Sequence, residues 1–327
     1  MTATRLKPVL NRGENAVLDI ARAVCEATGA EAFAKIRMAD VVRIEGSGIS
    51  DQLYRYALSA HFDVLVTKDN LAYLAIEFDG AGHNIQNDLK KAEICDRFGI
   101  PLVRVTENHL GTKLFEDTAV GFFIWQLFCV DMFLAEYAND PYEPYDPEFF
   151  ISVPGKSREW PFNYAGRWRA KLNRPFAQNL HLFDNEDLSV SYSYGLLQMG
   201  TVTFTYRRGL EFRSVYAQLV GADRAVFGEA ELSVEVAGLS GRRLELFGEI
   251  SSFVEGIAAE QMYLQAHRFL ERATNTVSPH DLWQKRDEWE TDGFQLRRGF
   301  SCSSSTRANP FGYRLSRPNT PADEGSS

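Results

Sequence analysis

The sequence predicts an α/β fold in its first third, and three features support this prediction. Residues 13–28 have the spacing of an amphipathic helix. Residues 62–79 contain two strand-like runs separated only by Asp69 and Asn70, which is typical of a β-hairpin. Residues 100–105 form a further β-rich run. Helical and strand-like segments that alternate in this way indicate a layered α/β domain of about a hundred residues.

Each remaining element of this region has its own local signal. The first helix ends at Gly29, and residues 32–38 then alternate between apolar and polar in the manner of a strand. Residues 50–59 fit a short helix, and residues 87–98 fit a longer one that ends at Gly99. The predicted order is therefore helix, strand, two paired strands, helix and strand.

Composition places the chain among ordinary globular proteins. It has 327 residues, of which 45% are hydrophobic and 24% are charged, and this composition excludes a mostly disordered or collagen-like protein. Its formal charge is -9, so contact with nucleic acid must come from local basic patches or bound cations.

The cellular compartment is predicted from what the sequence lacks. The four cysteines show no C-x-x-C spacing, so we expect neither a disulfide framework nor a thiolate zinc site. The N-terminal residues contain no apolar core of a signal peptide. Residues 119–135 are apolar but are interrupted by Gln126 and Asp131, which favours a buried helix over a membrane span. A cytoplasmic protein with no membrane partner is expected.

The chain divides into three predicted regions. Residues 1–138 form the α/β domain, and a proline-rich connection follows it. Residues 139–300 form an α+β domain of unknown role, with strand-like alternation at 188–236 and helical spacing at 252–272. Residues 301–327 are rich in serine, arginine, proline and glycine, and we expect a disordered basic tail.

Acidic residues cluster at one end of the predicted hairpin. Glu77 and Asp79 follow an apolar strand on one face, and Asp63 begins the strand paired with it. A buried carboxylate without a partner is costly, and a hard cation such as Mg²⁺ binds one or two carboxylates together with water or phosphate oxygens. Alternatively, arginine side chains or backbone amides satisfy these acids.

Two helices direct charged side chains toward the same place. On the helix at 87–98, Asp88 and Lys91 lie within the apolar face, whereas Lys90 lies on the polar face. An ion pair between Asp88 and Lys91 is the alternative explanation. Glu14 lies within the apolar face of the first helix, although it would also suit a helix N-terminus.

These residues occur in a recognisable order. In the chain they are Glu14, Asp63, Glu77-Phe78-Asp79-Gly80, His83, Asp88, Lys91 and Gly99-Ile100-Pro101-Leu102-Val103-Arg104. This set resembles the PD-(D/E)XK nuclease superfamily, and especially its very-short-patch-repair-like branch and a bacterial domain with an IExDGxxH…DxxK…GIPLxR signature. The resemblance covers about residues 10–110 and implies an αβββαβ restriction-endonuclease-like core.

The resemblance also implies an activity and its residues. Asp63, Glu77 and the Phe78 carbonyl would bind Mg²⁺ or Mn²⁺, and a phosphodiester would be hydrolysed by a metal-activated water. Lys91 would replace the lysine that the superfamily carries two residues after the second acid, where this chain has Asp79. The full catalytic set is then Asp63, Glu77, Lys91, His83, Asp79 and Glu14.

A DNA endonuclease of restriction, phage defence or repair is the leading interpretation. A catalytically inactive nuclease-fold scaffold, favoured by Asp79, and an RNase are the alternatives. A further predicted nucleic-acid contact is a segment in which cations alternate with aromatic residues, and its cations are Lys156, Arg158, Arg167, Arg169 and Lys171. Alternatively, these aromatics pack a core. The C-terminal region could instead bind a protein partner or a second copy of the chain.

Overall fold

The computed structural model describes residues 7–80, 84–114, 117–137, 196–205, 209–221, 224–270 and 275–296. Contacts divide the chain into two units. The first comprises Met1–Phe162, Thr205–Leu210 and Ser233–Ile250, and the second comprises Asn163–Phe204, Glu211–Leu232 and Ser251–Ser327. The predicted boundary near residue 139 and the predicted tail at 301–327 lie outside the described residues.

The helices and strands follow the predicted order. In chain order they are α1 (Arg12–Thr28), β1 (Glu31–Arg37), α2 (Met38–Val41), α3 (Asp51–Ser59), β2 (His61–Lys68), β3 (Leu71–Phe78), α4 (Ile85–Phe98), β4 (Leu102–Val105), α5 (Glu107–Gly111), β5 (Lys113–Leu114), β6 (Asp117–Thr118), α6 (Ala119–Tyr137), β7 (Leu196–Thr205), β8 (Gly209–Gly221), β9 (Arg224–Ala237), α7 (Gly241–Phe247), α8 (Ser251–Leu270), α9 (Pro279–Thr291) and β10 (Gln295–Leu296). The α/β class is confirmed.

Local signals set the ends of these elements. Asn11 caps α1 by accepting a hydrogen bond from the Glu14 amide, and the Glu14 carboxylate accepts one from the Asn11 amide in return. Gly29 ends the helix with a φ of 70°, which a residue without a Cβ adopts easily. The hairpin turn has φ angles of 53° at Asp69 and 63° at Asn70, as expected for a two-residue connection.

The first unit is built on a mixed sheet. Strands β1, β2 and β3 are antiparallel, β3 and β4 are parallel, and β4 pairs in antiparallel fashion with the last residues of β9. The parallel pair requires a crossover connection, and α4 supplies it. Residue Gly238, directly after β9, has a φ of 68° and passes close to the Ile100 carbonyl.

Helices cover both faces of this sheet. Gly13 of α1 lies against the ring of Phe78 on one face. On the other face, Ala92 and Cys95 of α4 share a buried cluster with Ala75 of β3. Since neighbouring residues of a strand point to opposite faces, Glu77 lies on the α4 side with Ala75.

Helix α6 is buried, as the sequence predicts. Val120, Phe123, Leu127 and Val130 are all nearly inaccessible to solvent. Among the described residues, the structure shows no helix with the length and apolarity needed to cross a membrane.

The second unit contains α8 and most of β7, β8 and β9, which overlap the C-terminal segments where the sequence predicts strands and a helix. Its strand order is β9-β8-β7-β10, and β10 pairs in antiparallel fashion with β7. The backbone of α8 packs closely on β9, because a Cβ at Gly228 would lie 2.0 Å from the Ala258 carbonyl oxygen.

Candidate active site

The candidate site begins where the ladder between β2 and β3 ends. The last register pair is Val64 with Ile76, and the next residues are Asp63 and Glu77. The Asp63 amide donates to Glu77 Oε1 at 3.2 Å, and the Phe78 amide donates to Asp63 Oδ2 at 3.0 Å. Each carboxylate thus accepts a hydrogen bond from the other strand's backbone where the regular ladder has stopped. This exchange brings the two predicted metal-binding acids together.

Lys91 reaches this pair of acids from α4. Its ammonium donates to Glu77 Oε2 and, at 2.8 Å, to the backbone carbonyl of His61. Only 7% of Lys91 and 5% of Glu77 is exposed. The inward direction of Lys91 follows from the phase of α4, whose N-terminus is set by the Asn84 side chain accepting from two backbone amides.

Burial dominates the electrostatics of Glu77. It raises the pKa of this carboxyl to about 7, because desolvation disfavours the charged form. The Lys91 ammonium lowers the pKa, whereas the charge of Asp63 raises it. The ionised form of Glu77 therefore depends on a cation nearby, and the described structure provides Lys91 in that role.

Lys35 of β1 is a site residue that the sequence analysis missed. Its ammonium lies 2.5 Å from Asp63 Oδ1 and 3.0 Å from Glu14 Oε1. Burial acts to lower the pKa of Lys35, but hydrogen bonds to Asp63 and Glu14 outweigh burial and raise it. The available signal was a lysine in the middle of a strand, where the other residues from Ala32 to Ile36 are apolar.

The backbone of Lys35 is unusual. Its φ is 54°, in the left-handed region that few residues other than glycine adopt, and the neighbouring pairs of β1 with β2 keep their register on both sides. Such a conformation persists only where the surroundings impose it, and it is common at functional sites. Here it accompanies the ion pairs that link α1 to the end of β2.

Glu14 fulfils both of the interpretations that the sequence left open. It completes the N-terminal cap of α1 through Asn11 and also forms the ion pair with Lys35. The structure thus connects Glu14 to Asp63 through Lys35.

A second cluster centres on Arg104 of β4, which lies beside Glu77 in the parallel register. Arg104 donates two hydrogen bonds to Asp79, at 2.9 and 2.6 Å, and lies 2.8 Å from the Asp88 carboxylate. Asp88 therefore contacts Arg104, and Lys91 contacts Glu77. The sequence signal for Arg104 was a charged residue within a four-residue buried strand.

The chemistry of the paired acids fits a hard divalent cation. Asp63 and Glu77 each accept a hydrogen bond from the backbone of the other strand, so their carboxylates lie at the same end of the ladder, and Mg²⁺ commonly takes one or two carboxylates plus waters. Within the part of the chain that the structure describes, no group of three or more histidine, cysteine, aspartate or glutamate side chains has the geometry of a metal site. Additional ligands would be waters, substrate oxygens or the Phe78 carbonyl.

Several predicted residues cannot be placed. His83 and the segment containing Lys156, Arg158, Arg167, Arg169 and Lys171 lie outside the described residues. Their roles stay predictions.

Part of the chain is similar to a known protein family. No curated protein and no solved structure matches the chain. The segment that carries Glu14, Lys35, Asp63, Glu77, Lys91 and Arg104 falls within residues 6–117, and this span is similar to a family described as a protein of unknown function, DUF2726.

Proposed function

We propose that the first unit is a metal-dependent nuclease with a restriction-endonuclease-like core, and that DNA is its substrate. The observation that carries the proposal is the convergence of Asp63, Glu77 and Lys91. Two carboxylates from neighbouring strands meet beyond the end of their ladder, and a buried ammonium from the following helix contacts one of them.

The proposed chemistry assigns a different task to each group. Asp63, Glu77 and the Phe78 carbonyl would hold Mg²⁺ or Mn²⁺, which when bound would supply a water of lowered pKa and Lewis-acid stabilisation of a phosphate oxygen. Lys91 offsets negative charge that develops on the phosphate. The Lys35 ammonium pairs with the Asp63 carboxylate and keeps it in place. The same ammonium also pairs with Glu14, which fixes the position of the Lys35 side chain.

The contacts of Asp79 support Lys91 as the amine of this site. Asp79 stands two residues after Glu77, where the superfamily carries lysine, and both of its oxygens accept hydrogen bonds from Arg104. The ammonium next to Glu77 belongs to Lys91 instead. The departure from the superfamily pattern therefore coincides with an amine supplied from α4.

A catalytically inactive scaffold is the second candidate. The observation that favours it is internal pairing, since Lys35 and Lys91 already balance much of the charge of Asp63 and Glu77. A protein of this kind would bind nucleic acid or a partner without recruiting a metal.

Metal binding separates the two candidates. Thermal unfolding of the full chain is followed with and without Mg²⁺ or Mn²⁺ in the wild type and in Asp63→Asn and Glu77→Gln. We expect metal to raise the Tm of the wild type and not of the two variants, because a ligand that binds only the folded state stabilises it. Glu93→Gln, an exposed residue of α4, is the matched control and should keep the shift. Equal shifts in all four proteins would exclude metal binding at Asp63 and Glu77.

Cleavage is then tested with plasmid, linear duplex and single-stranded DNA and with RNA, in the presence of Mn²⁺. Wild-type cleavage should be lost in Asp63→Asn and Glu77→Gln and should fall at least tenfold in Lys91→Met. Cleavage of RNA but not of DNA would mean that RNA, and not DNA, is the substrate. Activity that persists in all three variants would place the active site elsewhere.

A further inference from the structure

A cavity lies around Arg104, on the face of the sheet covered by α4. Its volume is about 350 Å³, within the range of sites for small ligands. Charged and apolar side chains share its wall, among them Asp79, Ile85, Asp88, Leu89, Arg104 and Glu235.

One buried donor in this wall finds no acceptor within the part of the chain that the structure describes. Arg104 is only 7% exposed, and its Nη1 has no hydrogen-bond partner among those residues. Its Nε and Nη2 are held by Asp79 and Asp88, so the guanidinium is fixed in the wall of the cavity. A buried donor without a partner is costly, and a ligand with an acceptor would remove that cost.

The charge of the wall limits what this ligand can be. Three carboxylates, from Asp79, Asp88 and Glu235, surround one guanidinium, so a phosphate or another anion is disfavoured. The Glu235 carboxylate is 67% exposed and lies 3.7 Å from Arg104 Nε, where it can accept from a ligand. A suitable ligand therefore combines an acceptor for Arg104 with N–H donors for a carboxylate.

Apolar side chains in the wall add a second requirement, namely that the ligand has a flat apolar surface. Ile85 and Leu89 are 70% and 39% exposed, although the helical pattern assigns Leu89 to the buried face of α4. Both line the cavity. A planar ring would cover them while its edge reaches the polar groups, and nucleobases combine these features.

The position of the cavity agrees with such a ligand. Arg104 is the register partner of Glu77 on the adjacent strand, and neighbouring strands lie about 4.8 Å apart. Asp79 follows Glu77 by two residues on the same chain. A nucleotide whose phosphate contacts the Glu77 site would place its base within reach of Arg104.

We propose that this cavity binds a guanine base of the nucleic-acid substrate. Arg104 Nη1 donates to guanine O6 or N7, the usual acceptors of arginine on this base. Glu235 accepts from the guanine amino group, and Leu89 covers the ring. The base contact deepens the proposed nuclease function, because it assigns a specificity determinant to the same site. It also assigns a purpose to Asp79, which orients Arg104.

The test uses free nucleosides, which carry no phosphate and need no metal. Binding of guanosine and of inosine, which lacks the amino group, is measured by saturation-transfer NMR on the full chain. Guanosine should give clear transfer, and inosine should bind several-fold more weakly. Leu89→Trp fills the cavity and should abolish transfer, whereas Glu235→Gln should reduce it several-fold. Glu231→Gln, on the same strand and outside the cavity, is the matched control and should bind normally.

The outcomes separate this proposal from the nuclease proposal. Guanosine binding that survives in Glu77→Gln, together with loss of metal binding in that variant, supports both. Absence of guanosine transfer, equal binding of inosine, or binding that persists in Leu89→Trp would overturn the base site, even if the chain cleaves DNA. Guanosine binding by a chain that cleaves no nucleic acid would support the base site and contradict the proposed nuclease activity.

Discussion

Replacing Lys91 by methionine tests whether the centre of the site is a buried charge pair. The substitution keeps most of the side-chain volume but removes the ammonium that contacts Glu77. Loss of one partner of a buried ion pair typically costs about 3–5 kcal/mol where the other group stays charged, and less where that group can take up a proton instead. This cost is a large fraction of the stability of a typical domain.

The cost of this substitution should depend on pH. Burial places the folded-state pKa of Glu77 near 7, above its unfolded value of about 4.5, so the contribution of Glu77 to wild-type stability falls as pH rises from about 4.5 to 7. Without Lys91, whose charge lowers this pKa, Glu77 keeps its proton to higher pH. The difference in the free energy of unfolding between wild type and Lys91→Met should therefore be constant below about pH 7. Above pH 7, this difference should grow by about 1.4 kcal/mol per pH unit, until the Glu77 carboxyl of the variant also ionises.

Urea unfolding of the full chain, followed by circular dichroism near pH 6 and pH 8.5, measures this growth. In the double variant Glu77→Gln, Lys91→Met no carboxylate remains at this position, so the extra loss at high pH should disappear. Lys90→Met is the matched control, since Lys90 lies over the ring of Tyr56 and not at the acids. If Lys91→Met lowers the free energy of unfolding equally at both pH values, Glu77 does not become an uncompensated buried charge in this variant. The same conclusion follows if the extra loss at high pH persists in the double variant.

Three further substitutions test the framework around the site, and each is measured as a change in the free energy of unfolding. Asn11→Ala removes the cap of α1 and should cost about 1 kcal/mol; no change would mean that the capping box is not formed. Gly13→Ala would place a Cβ 2.1 Å from the Phe78 ring and should cost about 1–3 kcal/mol, and a neutral result would contradict close packing of α1. Gly238→Ala meets the Ile100 carbonyl at 1.9 Å in a left-handed conformation, so it should cost more than Asn11→Ala.

Local patterns predicted the helices and strands of the first unit well. The caps at Gly29 and Gly99 and the turn at Asp69 and Asn70 depend on short-range backbone geometry, which a few neighbouring residues control. The inward direction of Lys91 depends only on the period of α4 and was predicted for the same reason. The first residues of α4 and β4 differ from the prediction by two positions, as element ends commonly do, whereas their last residues agree.

The choice of ion-pair partner depended on the tertiary structure. Asp88 had two plausible partners in the sequence, namely Lys91 on its own helix and the acidic strand end through a cation. It contacts Arg104, because parallel pairing brings β4 beside β3 and places that guanidinium next to the helix. Helical spacing alone carries no information about which strand lies beneath a helix.

The sequence by itself determined the longer helices and strands of the first unit and, at most positions, which of their faces are apolar, since both follow from the local period of the chain. Tertiary structure decided that Lys35 of β1 joins Glu14 to Asp63 and that Glu235 of β9 reaches the cavity at Arg104. These contacts join residues distant in sequence. Long-range strand pairing creates them, and no periodicity within a single segment specifies which distant strand will be the neighbour.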